Sequence, residues 1–284
     1  MNGAYRRLKN WVVRRMAESH LAGSDVSDAV RIANQAAQRG WSSTIGPWGR
    51  PDDTPESTVA FYATALDAVS TLPYDCYLSI KVTGLQYDLG LLTGLIDHCM
   101  SSQVRIHFDA LDPDSADPTF DLLERALKVH RNMSCTLPAR WRRSLKDVDR
   151  VVELGIPVRV VKGQWVDPQS PVPDVRASFL EVIRTLSGRA RHVAVATHDR
   201  PLAEEALRCL LSSGTPCEME QLSSLPQNCA RLAESLHIPM RIYIPYGYPS
   251  LPYDLSFKRT RAQIVGWGMR DFLAGKHRPL PSVN

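Results

Sequence analysis

The chain is short of the features that mark several large classes of protein. Its six cysteines (Cys76, Cys99, Cys135, Cys209, Cys217, Cys229) form no C-x-x-C pair, and none lies at zinc-finger spacing from a histidine pair. That removes the common redox and structural-zinc motifs. The eight histidines include no H-x-x-x-H and no H-x-H, so no metal constellation is legible. There is no G-x-G-x-x-G after an early strand, no P-loop and no nucleophile elbow. These absences speak against a dinucleotide-binding open sheet, a triphosphate cradle and a serine hydrolase. No long apolar run and no signal-peptide pattern occur, so a reduced, cytoplasmic setting is expected. The net charge of +4, with Lys and Arg spread along the sequence, is too mild for a nucleic-acid partner.

What remains is an ordinary globular composition, 44% hydrophobic and 23% charged over 284 residues. Seven short apolar runs recur at residues 76–84, 104–111, 133–139, 157–163, 192–198, 217–222 and 240–247, and a weaker one at 42–46 makes eight. Helical patterns fill the gaps, among them DPTFDLLERALKVH with Phe120, Leu122, Leu123 and Leu127 at helical spacing. In TPESTVAFYATALDAVS, Thr54 is placed to cap the helix and Pro55 to open it. Strands alternating with helices over short links imply βαβ units and a parallel sheet. Eight such strands predict an α/β fold, a (β/α)8 TIM-type barrel over residues 41–274. Extra N-terminal helices within residues 1–40 pack on it, and a loose tail covers 275–284. The first of those helices is amphipathic, setting Trp11, Val12 and Met16 among Arg6, Arg7, Lys9, Arg14 and Arg15. Peripheral membrane contact is one use for it, and capping the barrel bottom is the commoner one.

In such a barrel the chemistry sits at the C-terminal ends of the strands. Those ends carry Lys81, Asp109, Pro138, Lys162, Trp165, Thr197, His198, Glu220, Gln221, Tyr243 and Tyr246. Lys81 stands in an otherwise apolar run and needs an anion, for which Asp109 on the next strand is the natural choice; the pair serves either structure or function. Arg159 alternates with valines and faces either a bound anion or a neighbouring carboxylate. Thr197 and His198 precede a helix N-terminus, where phosphate is well received. A hydrogen-bonded scaffold histidine is the plainer reading. Lacking hydrolytic machinery, the chain reads as a cofactor enzyme.

The series SIKVTGL, HFDAL, VRVVKGQW, VAVATHD, CEMEQL and RIYIPYGYPSLPY resembles the proline dehydrogenase family in order and separation, over roughly residues 40–255. The resemblance implies FAD as cofactor in a (β/α)8 barrel. It implies cofactor contacts from Arg159, Val161, Gly163, Thr197 and His198, with Lys81 and Asp109 beside the flavin ring and substrate. Tyr243, Leu222, Tyr253 and Trp165, where the family usually has tyrosine, would line the substrate pocket. Lys81, Asp109 and Tyr243 are the residues expected to carry the reaction.

The departures bear on substrate. After Tyr253 the family has Leu-x-Arg-Arg, a fork that grips the substrate carboxylate; here Ser256 and Phe257 stand in those places. Lys258, Arg259 and Arg261 follow, but a shift of two on a helix turns them away by roughly 200°. Family glutamines are replaced by Pro138 and Glu220, and Thr260 stands where the family has a glutamate. An unpaired carboxylate in a dry site is costly. The resemblance therefore implies an FAD-dependent oxidoreductase that oxidises the C–N bond of an amine or imino acid other than free proline. Quinone and oxygen stay open as acceptors. Three alternatives remain: a genuine L-proline dehydrogenase, a catalytically silent barrel acting as a binding subunit, and a flavin-free barrel using Asp109, Glu220 and His198 for acid–base chemistry.

Overall fold

The computed structural model describes residues 20–248 and Leu280. Eight parallel strands close on themselves in sequence order: β1 (Ser42–Trp48), β2 (Cys76–Ile80), β3 (Ile106–Phe108), β4 (Met133–Pro138), β5 (Val158–Val161), β6 (Val193–Ala196), β7 (Cys217–Leu222) and β8 (Met240–Gly247). Pairing of Ser42 through Trp48 with Arg241 through Gly247 seals the cylinder. The fold expected from the alternation is therefore the one observed.

Helices wrap the outside: α1 (Val26–Ala37), α2 (Pro55–Ser70), α3 (Leu89–Ser102), α4 (Ala116–Ala126), α5 (Ser144–Leu154), α6 (Val175–Leu186), α7 (Arg200–Ser212) and α8 (Ala230–Ser235). Thr54 caps α2, its side chain accepting from Ser57 N, and Pro55 is the first helical residue. α1 precedes the barrel yet packs along β8 and β1, burying Ala29, Ile32, Ala33 and Ala36. The chain entering α1 is tied to the C-terminal end of β8 by Ala22 N donating to Pro245 O (2.8 Å).

Several strand limits are tighter than the apolar runs suggest. β2 ends at Ile80 because Val82–Leu85 forms a 3-10 turn, with Gly84 N donating back to Lys81 O. β1, by contrast, outlasts its expected end, since Gly46 and Pro47 weaken the strand signal while closure against β8 supplies the pairing. One tail residue is described. Leu280 is buried, its amide donating to Gln35 and its carbonyl accepting from Arg39. The basic helix expected within residues 2–18, the rest of the tail, and Tyr253, Ser256, Phe257 and Lys258 through Arg261 lie outside the described residues.

Strand side chains alternate between two surroundings. The outward set (Ile45, Leu78, Ile80, Ile106, Phe108, Leu137, Val158, Val160, Val195, Ile242 and Ile244) joins the apolar core under the helices. Fully burying each such side chain stabilises the fold by about 1.5–3 kcal/mol. The inward set is polar. Tyr77, Ser79, His107, Ser134, Thr136, Arg159, Glu218, Glu220 and Arg241 are all buried, and none belongs to that core.

Candidate active site

A cavity of ≈ 680 Å³ opens among the C-terminal ends of the strands, walled by Trp48, Tyr62, Trp165, Leu222 and Tyr243 and floored by Arg159 and Glu220. Its volume lies in the range usual for cofactor and small-molecule sites. The alternation of β2 and β3 brings Lys81 and Asp109 together at its rim, with Nζ 3.3 Å from Oδ2. The ammonium also lies 5.2 Å from the centre of the Trp48 ring. Tyr62 fixes the backbone beneath: Lys81 N donates to its hydroxyl (3.1 Å), which donates to Lys81 O (3.2 Å). Burial pulls the Lys81 pKa down, but Tyr243, Asp109 and Tyr62 raise it by more, so it stays above its ordinary value. Burial lifts the Tyr243 phenol as well, so at neutral pH that group is uncharged and Asp109 is the partner that matters.

Arg159 runs beneath the rim. Its Nε donates to Glu220 Oε2 (3.0 Å), its Nη1 lies 3.7 Å from Asp109 Oδ1, and its guanidinium sits 5.0 Å from the Tyr243 ring centre. Two atoms of this pair, Arg159 Nη2 and Glu220 Oε1, are buried without a hydrogen-bond partner among the described residues. Burial raises the Glu220 carboxyl above its usual range, with Arg159 opposing. Of the two sequence readings for Arg159, the structure gives it carboxylate partners and leaves one donor over.

Tyr243 lies across β1 at Gly46, where any side chain would collide with its hydroxyl. Trp48 Nε1 donates to that hydroxyl at 3.4 Å. Gly163 sits at φ +83°, and a Cβ there would come within 2.8 Å of Pro138 Cβ. The bare backbone after β5 is thus required by the turn and by its close approach to Pro138. Val161, Gly163 and Trp165 all line the cavity, and Trp141 Nε1 donates to Trp165 O (2.9 Å).

Thr197 and His198 line it from the other side. His198 Nε2 accepts from Leu222 N (2.9 Å), so the neutral ring carries its proton on Nδ1 and donates to Pro226 O (3.2 Å). Burial lowers its pKa to about 4. Both nitrogens are engaged, which fixes Leu222 in the wall and removes His198 from acid–base work. At the start of α7, Asp199 accepts from Leu202 N and pairs with Lys162 (3.0 Å) and Arg176. Burial would raise its carboxyl, but the bonds from Arg176 and Lys162 hold it down to about 2. The helix start that the sequence offered to a phosphate thus carries a carboxylate of its own, bridged by two cations.

Sequence reasoning missed Trp48, Tyr62, Trp141, His107 and Thr136. Trp48 was legible as an aromatic residue two positions past the expected end of β1. The others are placed by packing between strands distant in sequence. Among the described residues there is no cluster of three potential metal ligands and no helix long and apolar enough to cross a membrane.

Fold and site together define a (β/α)8 barrel with a charged, aromatic-walled cavity at the end where such barrels hold their chemistry. No known family profile matches the chain. It is similar to proline dehydrogenase 2 of Bacillus subtilis strain 168, 22% identical over 255 residues and 84% of each chain. The counterpart from Bacillus subtilis subsp. natto is 21% identical over the same length. Among solved structures it is similar to proline utilization A (PutA) of Bdellovibrio bacteriovorus inactivated by N-propargylglycine, with a TM-score of 0.72, 16% identity and 83% of this chain covered. A bifunctional PutA protein gives a TM-score of 0.63 at 17% identity over 89% of this chain. The chain spans only 31% of the length of either PutA protein, and that likeness is one of fold.

Proposed function

We propose that the chain is an FAD-dependent dehydrogenase acting on a CH–NH group. The observation that carries this reading is the cavity floor, where Arg159 lies beneath a space of cofactor size with one guanidinium nitrogen still lacking a partner. A flavin ring gains negative charge on reduction, and a fixed cation under it suits that change. The residues fit the group: Arg159 and the backbone of Val161 and Gly163 would hold it, with Thr197 and the His198 ring, whose nitrogens are already engaged, packing as wall. When bound, FAD supplies a hydride acceptor for the carbon next to the substrate nitrogen, yielding an imine.

The chain's own side chains bind and orient. Trp48, Trp165, Leu222 and Tyr243 exclude water from the amine carbon. Lys81, held by Asp109, offers a fixed positive charge to the substrate's polar end. The nitrogen must lose its proton before hydride can leave, and no described side chain stands as a dedicated base, so the substrate binds as the free amine. Turnover would also need an electron acceptor, for which quinone and oxygen are the chemical options.

The finer reading is that the substrate is an amine or imino acid other than free proline, on the strength of Ser256 and Phe257 in place of the arginine fork. Free L-proline is the second reading, favoured by the name of the curated relatives. Anaerobic bleaching of the bound flavin tests both, with proline, pyrrolidine, other cyclic amines and carrier-tethered prolyl thioesters as the panel. Prompt bleaching by free proline overturns the finer reading. A flavin that no amine reduces leaves the silent barrel.

A further inference from the structure

Below the rim, the inward side chains of β3 and β4 form one continuous hydrogen-bonded line. Ser134 Oγ lies 2.8 Å from His107 Nδ1, and His107 Nε2 lies 2.7 Å from Thr136 Oγ1. Thr136 Oγ1 donates to Asp109 Oδ1 at 3.2 Å, and Asp109 Oδ2 receives Lys81 Nζ at 3.3 Å. Counting protons fixes the direction. The threonine hydroxyl has one hydrogen, which goes to the carboxylate, so its oxygen accepts from His107 Nε2–H. A neutral imidazole has only that one N–H, so Nδ1 accepts from the serine hydroxyl. Burial keeps the ring neutral, its pKa pushed well below the ordinary value with Arg159, Arg105, Arg241 and Lys81 adding to the effect. A residue needed only to fill the bore would satisfy neither hydroxyl; here both ring nitrogens are used and the ring is 1% exposed.

We propose that His107 is a positioning residue for the charged pair at the cavity rim: it orients the Thr136 hydroxyl toward Asp109, which in turn holds Lys81 in place. The step from Lys81 to substrate rests on the functional reading above, whereas the step from His107 to Lys81 does not. If the ring is removed, Thr136 is free to rotate, Asp109 is free to turn toward Arg159, and Lys81 loses its fixed partner.

Competitive reductive methylation of the intact protein, read by mass spectrometry, tests this without substrate or flavin. The readout is the labelling rate of Lys81 relative to Lys162, which pairs with Asp199 and takes no part in the line. Thr136→Val and His107→Phe are each expected to raise that ratio about fivefold, the effect of one lost hydrogen bond. His107→Gln, which can still donate to Thr136, is expected to restore at least half of the difference. A ratio unchanged in Thr136→Val overturns the proposal, and so does a His107→Gln that labels like His107→Phe. Should His107→Phe fail to fold, Thr136→Val and His107→Gln decide. With an amine that bleaches the flavin, the same variants raise KM by a similar factor and leave kcat within about twofold. A wild-type flavin that resists every amine overturns the functional reading, while the labelling ratio still decides the role of His107.

Discussion

Two arginine–glutamate pairs lie in the same polar bore, and they are finished differently. In the lower pair, Arg241 donates through Nε to Glu218 (2.9 Å), through Nη1 to Ser43 O (2.7 Å) and through Nη2 to Asp75, with 2% of its side chain exposed. Every nitrogen has a partner. In the upper pair, Arg159 and Glu220 share one bond, and each keeps a buried atom with none among the described residues. A fully paired buried ion cluster holds strands in register. A half-paired one is a cost to the fold unless something else completes it. The difference separates the part of the bore that builds the barrel from the part that faces the open cavity.

Breaking the lower pair should have the largest effect. Arg241→Met strands Glu218 in the bore and should cost about 3–5 kcal/mol in urea unfolding; a loss below about 1 kcal/mol would contradict the structural role. Acid is the next separation of the two ends. His198 has its folded pKa lowered to about 4 from an ordinary 6.5. The unfolded chain therefore takes up a proton that the folded chain refuses, and stability falls as pH drops from about 6.5 to 4, by roughly 2–3 kcal/mol. Unfolding curves across that window check the sum, and an NMR titration of the His198 ring with its midpoint near 4 checks the source. The smallest effect is expected from Glu220→Gln. It keeps the shape and relieves a carboxyl that burial already disfavours, so stability should move by less than about 1 kcal/mol. Glu218→Gln should cost roughly twice that or more. Equal losses for the two would erase the distinction between the pairs.

Much of this architecture was legible in the sequence. Parallel strands between helices carry their outward aliphatic residues in plain view, and the turn chemistry at Thr54–Pro55 marks a helix start directly. Lys81 beside Asp109 follows from alternation on neighbouring strands. β1 read as the weakest strand because Gly46 and Pro47 carry strand-breaking chemistry, although its seven-residue pairing with β8 makes it the seam of the barrel. α3 carries a weaker pattern than its neighbours for a similar reason, with Gly90 and Gly94 diluting its helical signal. The line from His107 to Lys81 was illegible because it depends on β3–β4 register, which sets His107 opposite Ser134, 27 residues away. For His198 the scaffold reading was the plainer of the two the sequence offered, but its partners Leu222 and Pro226, from the strand and loop that follow, could not be named.

The most direct test of the account is a titration of FAD into the purified protein and its Arg159→Met variant, followed by absorbance in the flavin bands. One flavin per wild-type chain is expected, with an affinity at least about tenfold weaker in the variant, as befits loss of a charge-assisted contact. A wild-type protein that binds no flavin, or a variant that binds it equally well, would contradict it.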